Sequence, residues 1–155
     1  MLTVLHEVSF ELANSSSVED LCRRAILLGR EALGFERLSI WFLDPLQPGW
    51  MRGTYGTDES GEIRDERESR VRVDPDIMPR DFFEDKVPYL LFEDTPVYND
   101  LHEPVGKADL AVAPIWNGHV SMGAVSSDNL IHHTPMDEAR CHVLALLARS
   151  IGHLA

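Results

Sequence analysis

The segment from Val125 to His142, with sequence VSSDNLIHHTPMDEARCH, concentrates side chains that bind metals or perform catalysis. A structural zinc site needs four convergent ligands and typically shows paired spacings such as Cys-x-x-Cys or His-x-x-x-His. Neither spacing occurs here. His132 and His133 are adjacent, and Cys141 lies about 100° around a helix from its histidine neighbour, so both pairs are poor chelates. The pattern favours a solvated strand-to-helix junction over a metal site, and we expect no metal and no cofactor.

Catalysis by a nucleophilic cysteine requires an activated thiolate beside a base. Cys22 and Cys141 instead fall on apolar faces of predicted helices, where a cysteine usually packs as a small apolar residue. Paired carboxylates for acid-base catalysis are available from Asp58, Glu59, Asp65 and Glu66, but the charges in residues 58–70 alternate in sign, which is typical of a solvated loop. The stretch GTYG lacks the spacing and the lysine of a phosphate-binding loop. We therefore predict that the protein is not an enzyme.

The whole chain has 155 residues, which is the size of one domain with a single substantial core, residues 1–155. Its net charge of -12 argues against binding to nucleic acid or to an acidic membrane surface. No apolar run has the length of a membrane span, and no signal peptide is evident. Two cysteines do not make a disulfide framework, so reduced thiols and a cytoplasmic location are expected.

Helical patterns occur at the start of the chain. Leu2, Leu5, Val8 and Leu12 recur at spacings of three and four, which places them on one helical face. Ser17 is positioned to cap a second helix, and Gly34 to end it. Near the C-terminus, Thr134 is predicted to cap a closing helix, with a proline at its first position.

Extended patterns lie between these helices. Residues 37–44, RLSIWFLD, alternate with apolar residues on both faces, which predicts a central strand covered on both sides. Residues 74–107 hold five of the nine prolines, so short helices and loops are expected there. Asn117 and Gly118 then mark a hairpin. Because helices and strands are grouped rather than alternating, the pattern indicates an α+β fold with an antiparallel sheet.

Three segments resemble a GAF domain, the small-molecule sensory module of bacterial signalling proteins and phosphodiesterases. They are LSIWFLD, LAVAPIWNGHVSMGAVSSDN and TPMDEARCHVLALLA. The resemblance implies a central antiparallel sheet with the N- and C-terminal helices on one face and an irregular, pocket-covering insert on the other. Cyclic-nucleotide-binding members carry Asn-Lys, then Phe, then Asp-Glu in this region. Leu130 and Met136 replace the lysine and the phenylalanine here, which argues against a cyclic nucleotide.

The resemblance also implies a ligand pocket formed by the first strand, the second strand and the insert. An aromatic-lined cavity with a few polar groups is the usual form of a small-molecule site. The candidate ligand-binding residues are Ser39, Trp41, Leu43, Tyr55, Tyr98, Asn99, Asp100 and His102. The alternative is that Trp41, Leu43 and Tyr55 are ordinary core residues.

The function expected from this resemblance is a regulatory sensor domain that binds an unidentified small molecule and signals to an output domain or partner. A kinase or a cyclase in the full-length protein is the type of output domain expected. The closing helix carries an apolar arc wider than one sheet face requires, which predicts a homodimer formed through the terminal helices. A ligand-free dimerisation or interaction module is the alternative function.

Overall fold

A computed structural model describes residues 2–84, 87–99 and 101–155 of the protein. The helices in these ranges are α1 (Leu2–Ala13), α2 (Val18–Glu31), α3 (Arg80–Phe83) and α4 (Glu138–Leu154). The strands are β1 (Arg37–Leu43), β2 (Trp50–Thr57), β3 (Ile63–Asp65), β4 (Arg70–Arg72), β5 (Leu90–Tyr98), β6 (Pro104–Trp116) and β7 (Ser121–Asp128).

The strands form one sheet in the order β3-β2-β1-β7-β6-β5, and β4 pairs with the first half of β2. Every strand pair is antiparallel. This confirms the predicted α+β class with a central antiparallel sheet. It also confirms that β1 is an interior strand, since β2 and β7 flank it.

The main core lies between the sheet and the helices α1, α2 and α4. Alternation along β1 directs Leu38, Ile40 and Phe42 into this core. Leu5, Val8 and Leu12 of the predicted apolar face of α1 are buried there as well. The terminal helices therefore cover one face of the sheet, and the residues that alternate with Leu38 and Ile40 face the other side.

The predicted start of α2 is confirmed, because the Ser17 side chain accepts a hydrogen bond from the Asp20 amide at 3.0 Å. The predicted start of α4 is wrong. Asp137, rather than Thr134, is the N-cap, and it accepts from the Arg140 amide at 2.9 Å. The Thr134 amide instead donates to the Glu36 carboxylate at 3.0 Å, which holds the preceding loop away from a helical path.

Residues 74–107 are more regular than predicted. Besides the four-residue helix α3, they contain the nine-residue strand β5 and the beginning of β6. β5 lies at an edge of the sheet. Pro96 has no amide hydrogen to donate, and it is tolerated here because an edge strand pairs on one side only. Two register shifts interrupt its pairing with β6. The predicted hairpin is confirmed: the Asn117 side chain accepts from the amides of His119 and Val120 in the turn between β6 and β7.

Candidate functional site

A cavity of about 260 Å³ lies on the sheet face opposite the terminal helices. Its floor comes from β1 and β7, where Arg37, Ser39 and Trp41 alternate with core residues. Ser39 pairs with Ser126 across the two strands. Most of the rest of the described lining comes from residues around β3 and β4, from the segment before α3, and from the end of β5 with the turn residues after it; these include Glu66, Asp74, Met78, Tyr98 and His102. The cavity thus lies against the middle of the sheet and is bordered by the β3–β4 region, the segment before α3 and the end of β5.

A short hydrogen-bond chain crosses the floor. The Trp41 indole Nε1 donates to Ser39 Oγ at 2.7 Å, and Ser39 Oγ lies 3.1 Å from Ser126 Oγ. These contacts fix the orientation of the indole ring. They also leave two hydroxyl groups beside an apolar surface, an arrangement common in small-molecule sites.

Arg37 lies at the same side of the sheet with its side chain only 9% exposed. Its Nη2 donates to the Tyr98 carbonyl oxygen at 2.8 Å. Its Nε is 3.5 Å from Oδ2 of Asp128, an ion pair without a hydrogen bond. Among the residues that the structure describes, Nε and Nη1 have no hydrogen-bond partner. A guanidinium that carries five donors is therefore buried with most of them unused.

Asp128 is buried beside this guanidinium, and its Oδ1 accepts from the Leu130 amide at 3.1 Å. Burial raises the pKa of the Asp128 carboxyl above its ordinary value, because desolvation disfavours the charged form. The positive charge of Arg37 and the Leu130 amide act in the opposite direction but do not outweigh burial.

Glu66 is a second buried carboxylate in the cavity lining. Its Oε2 accepts from Arg64 Nη2 at 2.7 Å and from Arg64 Nε at 3.0 Å. A Cβ atom at Gly56 would overlap Glu66 Oε1, and one at Gly53 would overlap the Glu66 carbonyl oxygen. Glu66 is one of the carboxylates in residues 58–70, the stretch predicted to be a solvated loop, and that prediction is wrong for this residue because it is buried against β2. The two glycines of GTYG are the signal that was missed, because glycine within a strand often marks a close approach.

No protein-family model matches the sequence, and no curated protein matches it. Solved protein structures do match the chain. The GAF domain of an Acinetobacter phosphoenolpyruvate-protein phosphotransferase superposes with a TM-score of 0.71 at 13% identity, over 99% of this chain and 90% of that one. The protein has a GAF-like fold.

Two further GAF-like neighbours carry different chemistry. One is a protein in its far-red-absorbing dark state with bound biliverdin, with a TM-score of 0.70 and 18% identity over 96% of this chain and 95% of the other. The second is the free methionine-R-sulfoxide reductase of Neisseria meningitidis with its substrate. Its TM-score is 0.69 at 14% identity, over 96% of this chain and 84% of that one.

Five of the eight predicted pocket residues line the cavity of this GAF-like domain. They are Ser39, Trp41, Tyr98, Asn99 and His102. Asp100 lies outside the described residues. The side chain of Asn99 shapes the cover, because its Oδ1 accepts from the amides of Leu101 and Glu103 at 2.9 Å each. Tyr98 also provides its backbone carbonyl oxygen, which accepts a hydrogen bond from Arg37 Nη2.

Leu43 and Tyr55 are not among the described residues that line the cavity. Tyr55 packs against the helix-side core, and the Arg67 guanidinium lies 5.4 Å from its ring centroid. The cause is a bulge: Ser39 pairs with Gly56 while Trp41 pairs with Gly53, so β2 has one residue more than β1 in this interval. The extra residue reverses the alternation and sends Tyr55 to the helix side of the sheet. Leu43 is the last residue of β1, opposite Met51.

Both cysteines belong to the helix-side core rather than to the cavity. Burial raises the pKa of the Cys22 thiol to about 11, and it also raises the pKa of Cys141. In the described ranges, no cluster of three or more His, Cys, Asp or Glu side chains could hold a metal ion. Within the same ranges, no helix combines the length and apolar character needed to cross a membrane.

Proposed function

We propose that residues 1–155 form a single regulatory sensor domain whose cavity binds a small organic molecule. The observation that carries this proposal is the buried guanidinium of Arg37 on the cavity side of the sheet, with donors that no described residue satisfies. Buried polar groups in proteins are normally hydrogen-bonded, so an ordinary core surface does not retain such a group. The cavity volume of about 260 Å³ is slightly below the range of roughly 300–1,000 Å³ that is usual for ligand sites, so the ligand must be small.

Strand β1 borders both the cavity and the core beneath the terminal helices, so it can transmit the effect of a bound ligand to an output domain. Ser39 and Trp41 face the cavity, while their neighbours Leu38 and Ile40 contact the core beneath the terminal helices. A ligand that displaces β1 therefore changes helix packing, and we propose that an output domain or partner reads this change. A kinase or cyclase in a full-length protein is the expected output. The GAF domain of the phosphotransferase is a comparable case of such a domain within a larger protein.

We propose that the domain is not an enzyme and that it acts in the cytoplasm without nucleic-acid or membrane partners. The position of both thiols in the helix-side core supports the first point, since neither reaches the cavity. The net charge of -12 supports the absence of a nucleic-acid or anionic-membrane partner. Reduced, buried cysteines fit a cytoplasmic location.

A thermal-shift screen of metabolites tests the sensor function. A ligand at a hundredfold excess over its dissociation constant stabilises the fold by about 2.7 kcal/mol. Trp41→Ala is expected to abolish the shift, because the indole forms part of the floor. Trp50→Ala is the matched control, since Trp50 is a strand tryptophan outside the described cavity lining. A shift that survives Trp41→Ala, or a screen without any shift, contradicts the proposal.

The exposed apolar residues on the terminal helices favour a second candidate function, a dimerisation module. Phe10 on α1 is 72% exposed and Leu146 on α4 is 47% exposed. The two helices are in contact, with Ser9 Oγ 3.3 Å from Ser150 Oγ. We propose that this surface pairs with a second copy of the chain.

Sedimentation equilibrium tests the dimer. Phe10→Glu combined with Leu146→Glu is expected to yield a monomer, because charged side chains oppose burial at an apolar interface. Leu46→Glu is the matched control, since Leu46 is an exposed leucine in the turn between β1 and β2. A wild-type chain that remains monomeric at high micromolar concentration contradicts the dimer.

A further inference from the structure

The arrangement around Arg37 shows which of its nitrogens is left for a ligand. Nη2 donates to the Tyr98 carbonyl oxygen, and Nε lies 3.5 Å from Asp128 Oδ2 without a hydrogen bond. Nη1 is buried and has no partner among the described residues. A guanidinium donates best to a charged oxygen, because charge-assisted hydrogen bonds are shorter and stronger than neutral ones.

The charges in the lining permit an anion to enter. The described lining residues include three guanidinium groups and three carboxylates, whereas the chain as a whole carries -12. These charged residues are Arg37, Arg64, Arg72, Glu66, Asp74 and Asp128. The Glu66 carboxylate is already bound by Arg64 at 2.7 Å. The acidic excess of the protein therefore lies elsewhere, and the cavity does not repel a negative ligand as the outer surface does.

Apolar side chains line a separate part of the cavity. Trp41 and Met78 line it together with Val112 and Ala124, and the Ser39 and Ser126 hydroxyls lie between this surface and the guanidinium. We infer that the ligand is a small carboxylic acid whose carboxylate accepts a hydrogen bond from Nη1 of Arg37 and whose apolar body packs on Trp41. This inference rests on the proposed sensor function, because it names the ligand class of the same cavity.

The test compares acids with their neutral amides. Phenylacetate with phenylacetamide and hexanoate with hexanamide are titrated into the protein by calorimetry, alongside neutral compounds such as adenosine and glucose. We expect at least one acid to bind about tenfold or more tightly than its amide, since only the acid forms the charge-assisted bond. Each acid and its amide have nearly the same shape, so the comparison isolates the charge.

Two variants identify the group responsible. Arg37→Met is expected to reduce the affinity for the acid to that for its amide. Asp128→Asn is expected to tighten acid binding severalfold without affecting the amide, because it removes a negative charge 3.5 Å from Arg37. The asparagine keeps an oxygen for the Leu130 amide. If Arg37→Met does not fold, Asp128→Asn still decides the question.

The outcomes separate the ligand class from the function. If only amides or other neutral compounds bind, and Trp41→Ala abolishes their binding, the carboxylic-acid inference is wrong while the sensor function stands. An acid preference that persists in Arg37→Met, or that is unchanged by Asp128→Asn, also overturns the inference. If no compound in this set or in the metabolite screen binds, both the inference and the sensor function fail.

Discussion

The guanidinium of Arg37 donates from Nη2 to the carbonyl oxygen of Tyr98 at 2.8 Å, across 61 positions of sequence. Arg37 begins β1 at the centre of the sheet, and Tyr98 ends β5 at its edge. Asn99 and His102, which follow Tyr98, line the cavity. One side chain thus connects the floor of the cavity to its cover, and a ligand that contacts Arg37 acts on both.

The first prediction concerns this connection in the ligand-free protein. Arg37→Met removes the bond to Tyr98, so we expect faster amide hydrogen exchange in β5 and residues 101–103, with a stability loss of about 1.5–3 kcal/mol. Tyr98→Ala is the control, because it retains the carbonyl oxygen that accepts the bond. Equal exchange rates in the two variants would show that the connection does not hold the cover.

The second prediction concerns Glu36, a buried residue whose carboxylate accepts from the amides of His132 and Thr134. Burial alone raises the pKa of Glu36, but these hydrogen bonds outweigh it, and the pKa is lowered from 4.5. A carboxyl group whose pKa is lower in the folded than in the unfolded protein stabilises the fold at pH values above its unfolded pKa. This stabilisation is lost as the pH falls through the folded pKa. Glu36→Gln is expected to cost about 1–3 kcal/mol at pH 7.

The pH dependence of that difference is the decisive measurement. Urea denaturation of both proteins from pH 7 to about 3 is expected to show the gap closing below pH 4.5, as Glu36 becomes protonated. Glu62→Gln is the control, since Glu62 is exposed between β2 and β3. It is expected to change stability by less than about 0.5 kcal/mol at every pH. A gap that stays constant across this range argues against the role assigned to the Glu36 carboxylate.

Local periodicity was enough to predict the parts of the fold that depend on near neighbours. The alternation in β1, the cap at Ser17 and the turn at Asn117 all involve residues a few positions apart, and the structure has each of them. The same alternation places Ser39 and Trp41 on one face of β1, and the resemblance to GAF domains implied that this face borders the cavity. These elements were predictable because side-chain direction and capping are set within a few residues.

The features that were missed depend on partners distant in sequence. Thr134 and Asp137 are both good caps, and the choice between them is made by Glu36, 98 positions before Thr134. The path of Tyr55 depends on a bulge, which is a property of the β1–β2 pairing rather than of β2 alone. Pro96 is tolerated in a strand because β5 is at an edge, and only the sheet order shows this.

The third prediction concerns Gly123 in β7, whose φ is +155°. A Cβ atom there would overlap the carbonyl oxygen of Trp41 and approach Cα of Phe42 to 2.8 Å, and both are backbone atoms of β1. Since the backbone of a central strand cannot move aside cheaply, Gly123→Ala is expected to destabilise the fold by about 3 kcal/mol or more.

Gly118 provides the matched control for this substitution. Its φ is +98°, but no described atom lies within 4 Å of the Cβ position. Gly118→Ala therefore adds backbone strain without a clash, and a loss of about 1–2 kcal/mol is expected. Chemical denaturation of both variants measures the difference. A Gly123→Ala protein as stable as Gly118→Ala would mean that β1 and β7 do not approach as closely as described.

The last prediction concerns the two thiols. Cys22 and Cys141 are fully buried, and burial raises the pKa of Cys22 to about 11, so only about one thiol in a thousand is ionised at pH 8. We expect neither cysteine to react with a thiol reagent such as dithionitrobenzoate in the native protein, and both to react at once in guanidinium. Leu46→Cys supplies the positive control, because Leu46 is 92% exposed. The added thiol at position 46 is expected to react within seconds, whereas Cys22 and Cys141 in the same protein are expected not to react. A native cysteine that reacted as quickly as the one at position 46 would contradict the burial of both thiols in the helix-side core, and with it the argument against cysteine-based catalysis.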